Sequence, residues 1–184
     1  MTKFFTLNDG SQIPSLAFGT GTALYGKDAA EVVRIAIENN IIHLDGAQLY
    51  NNEDTLGAGI KASGKPRSEL FVVTKLGNLE PGQTVKESLE ISLAKLGLDY
   101  VNLFLIHSPE GRKEEDFRQI WEGMEEVKRD GLTKSIGVSN FTVENLKVIL
   151  KTAKVVPAVN QVGPGFHFEL DEFFMLTSES FTPD

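Results

Sequence analysis

The chain has 184 residues, 41% hydrophobic and 24% charged, with 26 acidic against 18 basic side chains and a net charge of −8. That length suits one domain with a sizeable core, while the negative charge argues against a nucleic-acid surface and leaves any phosphate-bearing ligand dependent on local basic groups or helix N-termini. The absence of cysteine excludes disulfides, thiol catalysis and cysteine metal sites, and with no apolar run of about 18 residues and no signal pattern in "MTKFFTLNDG" the expected location is the cytosol.

Taken in order, the N-terminus predicts a hairpin: Phe4 to Leu7, a turn at Asn8-Asp9-Gly10, then Ser11 to Ile13, stopped by Pro14. Its expected role is a lid or plug. Short apolar runs then alternate with amphipathic stretches, the pattern of repeated βα units around a parallel sheet. The predicted strands are Leu16 to Phe18, Ile41 to Leu44, Leu70 to Thr74, Val101 to Ile106, Ser135 to Val138, and Ala158 to Val159. Between the third and fourth, Thr84-Val85-Lys86-Glu87 has the form of a capping box. Val85, Leu89, Leu93 and Leu96 then recur at helical spacing, and Gly97 provides a left-handed stop. Phe117, Ile120, Trp121, Met124 and Val127 form a second apolar stripe, read as packing against the sheet rather than as a ligand contact.

A polar or flexible feature recurs at the C-terminal end of each predicted strand: Gly19-Thr20-Gly21, Asp45, Lys75, His107, Ser139-Asn140 and Asn160-Gln161. Each has a structural explanation of its own. Asp45 or Ser139 could cap a helix, Lys75 could lie on the surface, and His107 could be a satisfied loop histidine. No structural need places all of them at the same strand end, and in parallel α/β barrels that rim carries the chemistry. His43 differs, because it lies inside its strand with the parity of Asp45 and reads as a packed interior histidine.

Competing templates fail on inspection. In "GTGTALYG" the third glycine of a dinucleotide fingerprint falls on Leu24. The chain has no P-loop, no G-x-S-x-G elbow and no H-E-x-x-H, and Tyr25, Tyr50 and Tyr100 are followed four positions on by Ala29, Asp54 and Phe104 rather than lysine. What remains on the rim is a phenol, an ammonium, a carboxylate and an imidazole. An unperturbed phenol titrates near 10, too high for a general acid at neutral pH. A neighbouring ammonium such as Lys75 lowers that value, Asp45 can hold the ammonium, and a neutral His107 can donate to a carbonyl oxygen. Such a set protonates a carbonyl while a cofactor delivers hydride, since no side chain is a hydride donor.

The chain resembles the aldo-keto reductases, in particular the fungal branch of conjugated polyketone and ketopantoyl-lactone type reductases. The resemblance runs from the hairpin to about Val162 and rests on "HLDGAQLY", "FVVTKL", "LGLDYVNLFLIHSP", "GLTKSIGVSNF" and "PAVNQV". It implies a TIM-type (β/α)8 barrel, here with six of eight strands and an N-terminal hairpin. It further implies Tyr50 as proton donor, Asp45 and Lys75 as its electrostatic support, and His107 as the group orienting the carbonyl. Ser139, Asn140 and Gln161 would bind the nicotinamide carboxamide, and Gly19, Thr20 and Gly21 would line the cofactor's inner end. The implied reaction is NADPH-dependent reduction of an aldehyde or ketone, with NADPH/NADP+ as cofactor and a small carbonyl compound as the partner.

Two departures stand out. Many relatives have tryptophan after the histidine where this chain has Ser108. After Val162 the pattern gives way to "GPGFHFELDEFFMLTSESFTPD", acidic, Phe-rich and without lysine or arginine. The expected organisation is therefore a partial barrel over 1–162 and a divergent segment over 163–184, foreign to the barrel. The residues that relatives use to stack on the nicotinamide and hold the 2′-phosphate fall in the part of the pattern lost here, which implies weakened cofactor binding. Two unpaired strand edges are expected to invite self-association. Two further readings stay open: a non-catalytic binding or regulatory protein with the same rim, and a Schiff-base enzyme using Lys75. A carboxylate at Asp45 disfavours the latter by keeping the lysine protonated.

Overall fold

The computed structural model describes residues 2–163. The reading of a separate terminal segment lies, from residue 164 onward, outside the described residues. Strands β1 (Phe4–Thr6) and β2 (Gln12–Pro14) pair antiparallel with Phe5 opposite Ile13. Pro14 belongs to the hairpin rather than stopping it. The next ladder bond runs from Ser15 N–H to Lys3 O at 2.9 Å, so the N–H that proline lacks is not needed there.

Six parallel strands follow, paired in chain order: β3 (Ala17–Gly19), β4 (His43–Asp45), β5 (Phe71–Leu76), β6 (Val101–Ile106), β7 (Thr133–Ser139) and β8 (Asn160–Gln161). β6 falls where its apolar run predicts, whereas the other strands end later than expected, so Asp45, Lys75 and Ser139 lie within strands rather than just beyond them. β8 shifts wholly past Ala158 and Val159. The cause is pairing: Asp45 is held opposite Val73, Lys75 opposite Leu105, and Ser139 opposite Gln161.

Alternation assigns the two faces of the sheet. Leu44, Val72, Leu76, Phe104, Ile106, Ile136 and Val138 point outward into the main core, against helices α1 (Ala30–Glu38), α2 (Glu53–Ser63), α3 (Val85–Leu96), α4 (Glu114–Arg129) and α5 (Val143–Leu150). Phe71, Val73, Leu103 and Leu105 point inward, where Ile13 of the hairpin and Val159 cover them. Asp45 and Lys75 have this inward parity, as does His43, which is buried, donates from Nδ1 to Pro14 O at 3.0 Å and meets the Phe71 ring edge-on.

The sheet is a half-barrel. Laid flat, β4 and β8 would stand four strand spacings of about 4.8 Å apart, roughly 19 Å in all. Gln161 Nε2 nevertheless donates to Asp45 Oδ2 at 3.1 Å across the concave face. Among the described residues the outer edges of β3 and β8 have no partner strand.

The helices follow their local signals. Thr84 accepts from Glu87 N–H while the Glu87 carboxylate accepts from Thr84 N–H, and Gly97 closes α3 at φ 65°. The predicted stripe on α4 is buried throughout, and Trp121 Nε1 donates to Val155 O at 3.0 Å, which satisfies its one polar atom. α2 has a less obvious device: a Cβ on Gly59 would lie 2.5 Å from Ala30 O and one on Gly57 2.3 Å from Leu96 O, so these glycines let α2 approach both neighbours. The hairpin acts as a plug. Asp9 accepts from Lys128 at 2.9 Å and Ser135 at 2.8 Å, and Asn8 donates to Pro157 O at 3.0 Å, fixing the turn to the N-terminal end of the sheet. Burial alone would raise the Asp9 pKa, but the hydrogen bonds from Lys128, Ser135 and Ser11 bring it down to about 2. No helix among the described residues is long and apolar enough to cross a membrane.

Candidate active site

The C-terminal ends of the strands converge on Lys75. Its side chain is buried, only 2% exposed, and its ammonium donates to Asp45 Oδ1 at 2.5 Å, to Gly46 O at 3.0 Å and to the Tyr50 hydroxyl at 3.4 Å. An ammonium so far from water requires such partners. The strand parity of β4 and β5 explains the pair: Lys75 lies one inward step beyond Val73, the residue opposite Asp45, so its long stem turns back over the carboxylate.

Tyr50 ends a short 3-10 turn, Gln48–Tyr50, between β4 and α2. Asn51 then takes a left-handed conformation at φ 53°, which its short amide tolerates. The phenol ring meets His107 edge-on, with centroids 5.4 Å apart and planes at 81°, and lies 6.3 Å from the Tyr25 ring. Gly21 touches the ring face, since a Cβ there would come within 2.9 Å of the phenol Cζ. Any side chain at position 21 would displace the tyrosine.

His107 follows β6, its N–H donating to Leu76 O at 3.1 Å. Burial first, and then the Lys75 ammonium, depress its pKa to about 4, so the imidazole is neutral at physiological pH. Its Nδ1 is buried and has no hydrogen-bond partner among the described residues.

The residues expected around a cofactor are placed less uniformly. Ser139 is buried and its hydroxyl donates to Gln161 O at 2.7 Å. Asn140, left-handed at φ 61°, donates from Nδ2 to His107 O and to Ser139 Oγ, both at 3.1 Å. Gln161 directs its amide to Asp45, leaving Oε1 buried and without a partner among the described residues. Gly19 is paired opposite Asp45, and Thr20 is fully buried with its N–H on Asp45 O at 3.0 Å, beneath the rim rather than on it. The structure thus joins Asp45, Tyr50, Lys75, His107, Gly21 and Gln161 through direct contacts, while Ser139 and Asn140 attach to the same cluster through His107 and Gln161.

Sequence reasoning missed two buried residues beside the tyrosine. Asn52, 1% exposed, donates from Nδ2 to Thr20 O at 2.8 Å and Leu24 O at 2.7 Å, tying the β3–α1 loop to the Tyr50 turn. Glu53 is also buried and accepts from the Thr74 hydroxyl at 2.6 Å, and burial above all raises its pKa. An acid in a first helical turn reads as a solvent-exposed partner of the helix dipole. The only available signal was the unbroken polar string Tyr50-Asn51-Asn52-Glu53.

The chain is 40% identical over 157 residues to a glyoxal reductase of Bacillus subtilis and 37% identical over 175 residues to an NADPH-dependent alpha-keto amide reductase of Saccharomyces cerevisiae. These alignments cover 85% and 87% of this chain and 56% of each relative, so the chain spans little more than half the length of the curated relatives it matches. Its structure superposes on an aldo/keto reductase from Brucella melitensis with a TM-score of 0.84 at 34% identity, covering 95% of this chain and 69% of that one. A Bombyx mori aldo-keto reductase crystallised with NADP gives 0.77 at 36% identity, covering 88% and 58%. The profile of the Aldo/keto reductase family matches residues 15–167, and with the rim assembled as described the chain belongs to that family.

Proposed function

We propose that this chain carries the catalytic rim of an NADPH-dependent carbonyl reductase, with small aldehydes and α-dicarbonyl compounds as substrates. The observation that carries the reading is the placement of one buried ammonium, Lys75, between Asp45 and the Tyr50 hydroxyl, with a neutral imidazole against the same phenol ring. The substrate class is supported by the relatives, whose names record glyoxal and alpha-keto amides.

Tyr50 would release its phenolic proton to the substrate oxygen. Lys75 compensates the charge left on the phenol oxygen, and Asp45 holds Lys75 in place. Because His107 Nδ1 is buried and unpartnered, placing the proton of the neutral ring on Nε2 leaves it a donor for the same carbonyl oxygen. The cluster fits a nicotinamide carboxamide: the partnerless Gln161 Oε1 lacks the N–H that a carboxamide carries. Gln161, Ser139 and Asn140 would hold that group, with Gly19 and Gly21 lining the inner end of the site and Thr20 supporting them from beneath. Bound NADPH supplies the hydride.

The test is NADPH consumption, followed by absorbance, by the purified folded chain with glyoxal, α-diketones and simple aldehydes. With the His107 pKa near 4, the acid side of the kcat/KM profile should show no histidine limb around pH 6.5 and should fall as pH drops toward about 4. An acid limb centred near 6.5 would instead mean that the imidazole is solvated and not in the described position. A folded chain that neither binds nor oxidises NADPH would favour the regulatory reading. The Schiff-base alternative is disfavoured by the geometry, because the buried Lys75 nitrogen is already engaged by Asp45 Oδ1, Gly46 O and the Tyr50 hydroxyl.

Among the described residues the outer edges of β3 and β8 have no partner strand, and this extends the proposal to partners. Exposed parallel edges pair with other chains, so sedimentation velocity is expected to show self-association that rises with concentration. A strictly monomeric boundary at all concentrations would refute it.

A further inference from the structure

Gln48 has the most heavily bonded side chain in the turn that presents Tyr50, and the reductase chemistry leaves it without a role. Its Nε2 faces three acceptors on α3: Ser88 Oγ at 2.9 Å, Ser92 Oγ at 3.0 Å and Ser88 O at 3.2 Å. Its Oε1 accepts from Gly77 N–H at 2.7 Å. The amide orientation is fixed by chemistry, because a backbone N–H can only donate and a backbone carbonyl can only accept. Ser88 and Ser92 are buried inside α3, so the anchor is rigid.

The position of these bonds matters. Gln48 precedes Tyr50 by two residues, and Gly77 follows Lys75 by two. The peptides at that end of β5 also hold the histidine side of the site: Leu76 O accepts from His107 N–H, and Gly77 O accepts from Arg112 at 2.5 Å. Leu49 lies close over Gly77, where a Cβ would meet its Cδ2 at 3.2 Å. One carboxamide therefore clamps the turn bearing the phenol to the strand bearing the ammonium, and that strand end in turn clamps the imidazole. The contact being positioned is sensitive: Lys75 to Tyr50 is 3.4 Å, at the outer limit of a hydrogen bond, so a small outward shift of the turn breaks it.

We propose that Gln48 is a positioning residue for the reaction, setting the separation of the Tyr50 hydroxyl from Lys75 and His107 through its bridge between Gly77 and α3. The inference rests on the reductase reading above. Gln48→Met keeps the length and volume of the side chain and removes both halves of the bridge. It is expected to lower kcat by about 10- to 100-fold, the scale of a misplacement of about 1 Å, while KM and the dissociation constant for NADPH stay within about twofold. A readout independent of turnover is the 13Cζ resonance of Tyr50 in tyrosine-labelled protein, assigned by its loss in Tyr50→Phe. It should shift and broaden in Gln48→Met while the Tyr100 resonance stays in place. If the wild-type chain does not turn over, the reductase reading fails, yet the Tyr50 resonance still decides the positioning role. Unchanged kcat and an unchanged Tyr50 resonance in folded Gln48→Met would overturn the proposal. Should that variant fail to fold, Ser92→Ala removes one anchor acceptor from the bridge. It is expected to move the resonance in the same direction by less, and an unmoved resonance there overturns the proposal too.

Discussion

Replacing Tyr50 by phenylalanine is expected to lower kcat for carbonyl reduction by about 10²- to 10⁴-fold, the usual contribution of a positioned general acid. The substitution is nearly silent for structure. The ring keeps its contacts with Gly21, His107 and Tyr25, and only the hydroxyl 3.4 Å from Lys75 is lost. Circular dichroism and thermal unfolding should therefore match the parent chain while NADPH consumption collapses. Retention of activity within roughly threefold, on the kinetic scale where a lost transition-state contact is visible, would show that another group supplies the proton.

The second large effect is on stability. Asp45→Ala leaves the Lys75 ammonium 2% exposed with only Gly46 O and the Tyr50 hydroxyl as partners. Breaking a buried pair from one side costs about 3–5 kcal/mol, a large share of the 5–15 kcal/mol that a domain typically has. Urea denaturation should show that loss. The double variant Asp45→Ala/Lys75→Met should recover much of it, because no charge is then left buried. If the two single changes simply add in the double variant, the ion pair is not the cause. Asp45→Ala also removes the acceptor for Gln161, so the link across the concave face is lost with the pair.

Legibility in the sequence followed how local each signal was. Val101–Ile106 is an apolar run broken only by Asn102 and was readable to the residue. Thr84 and Gly97 frame α3 because capping requires only neighbours in the chain. The start of β4 was misjudged for the opposite reason: Ile41 N–H is taken by Ala36 O at the end of α1, which holds it out of the sheet despite its β-branched side chain. α2 shows no apolar stripe to read, since its contact face is built partly from Gly57 and Gly59, whose value lies in what they allow other elements to approach.

The candidate site divides in the same way. Asp45, Lys75 and His107 were visible because they recur at strand ends, a position that follows from the periodicity of βα units, whereas Tyr50, in the turn beyond β4, was singled out by the family resemblance of "HLDGAQLY". Asn52 and Glu53 look like ordinary helix-start polar residues until their burial is known. Gln48, in the short turn after β4, reaches Ser88 and Ser92 some forty residues away in sequence. The sequence by itself determined the order of strands and helices, the parity that sends Asp45 and Lys75 inward, and the set of chemical groups on the rim, all of which depend on nearest neighbours and period. Only the tertiary structure decided how those groups are tuned. The curl that brings Gln161 to Asp45, the burial that keeps His107 neutral and the bridge at Gln48 arise from packing between distant segments, where solvent exclusion and exact distance set the energies.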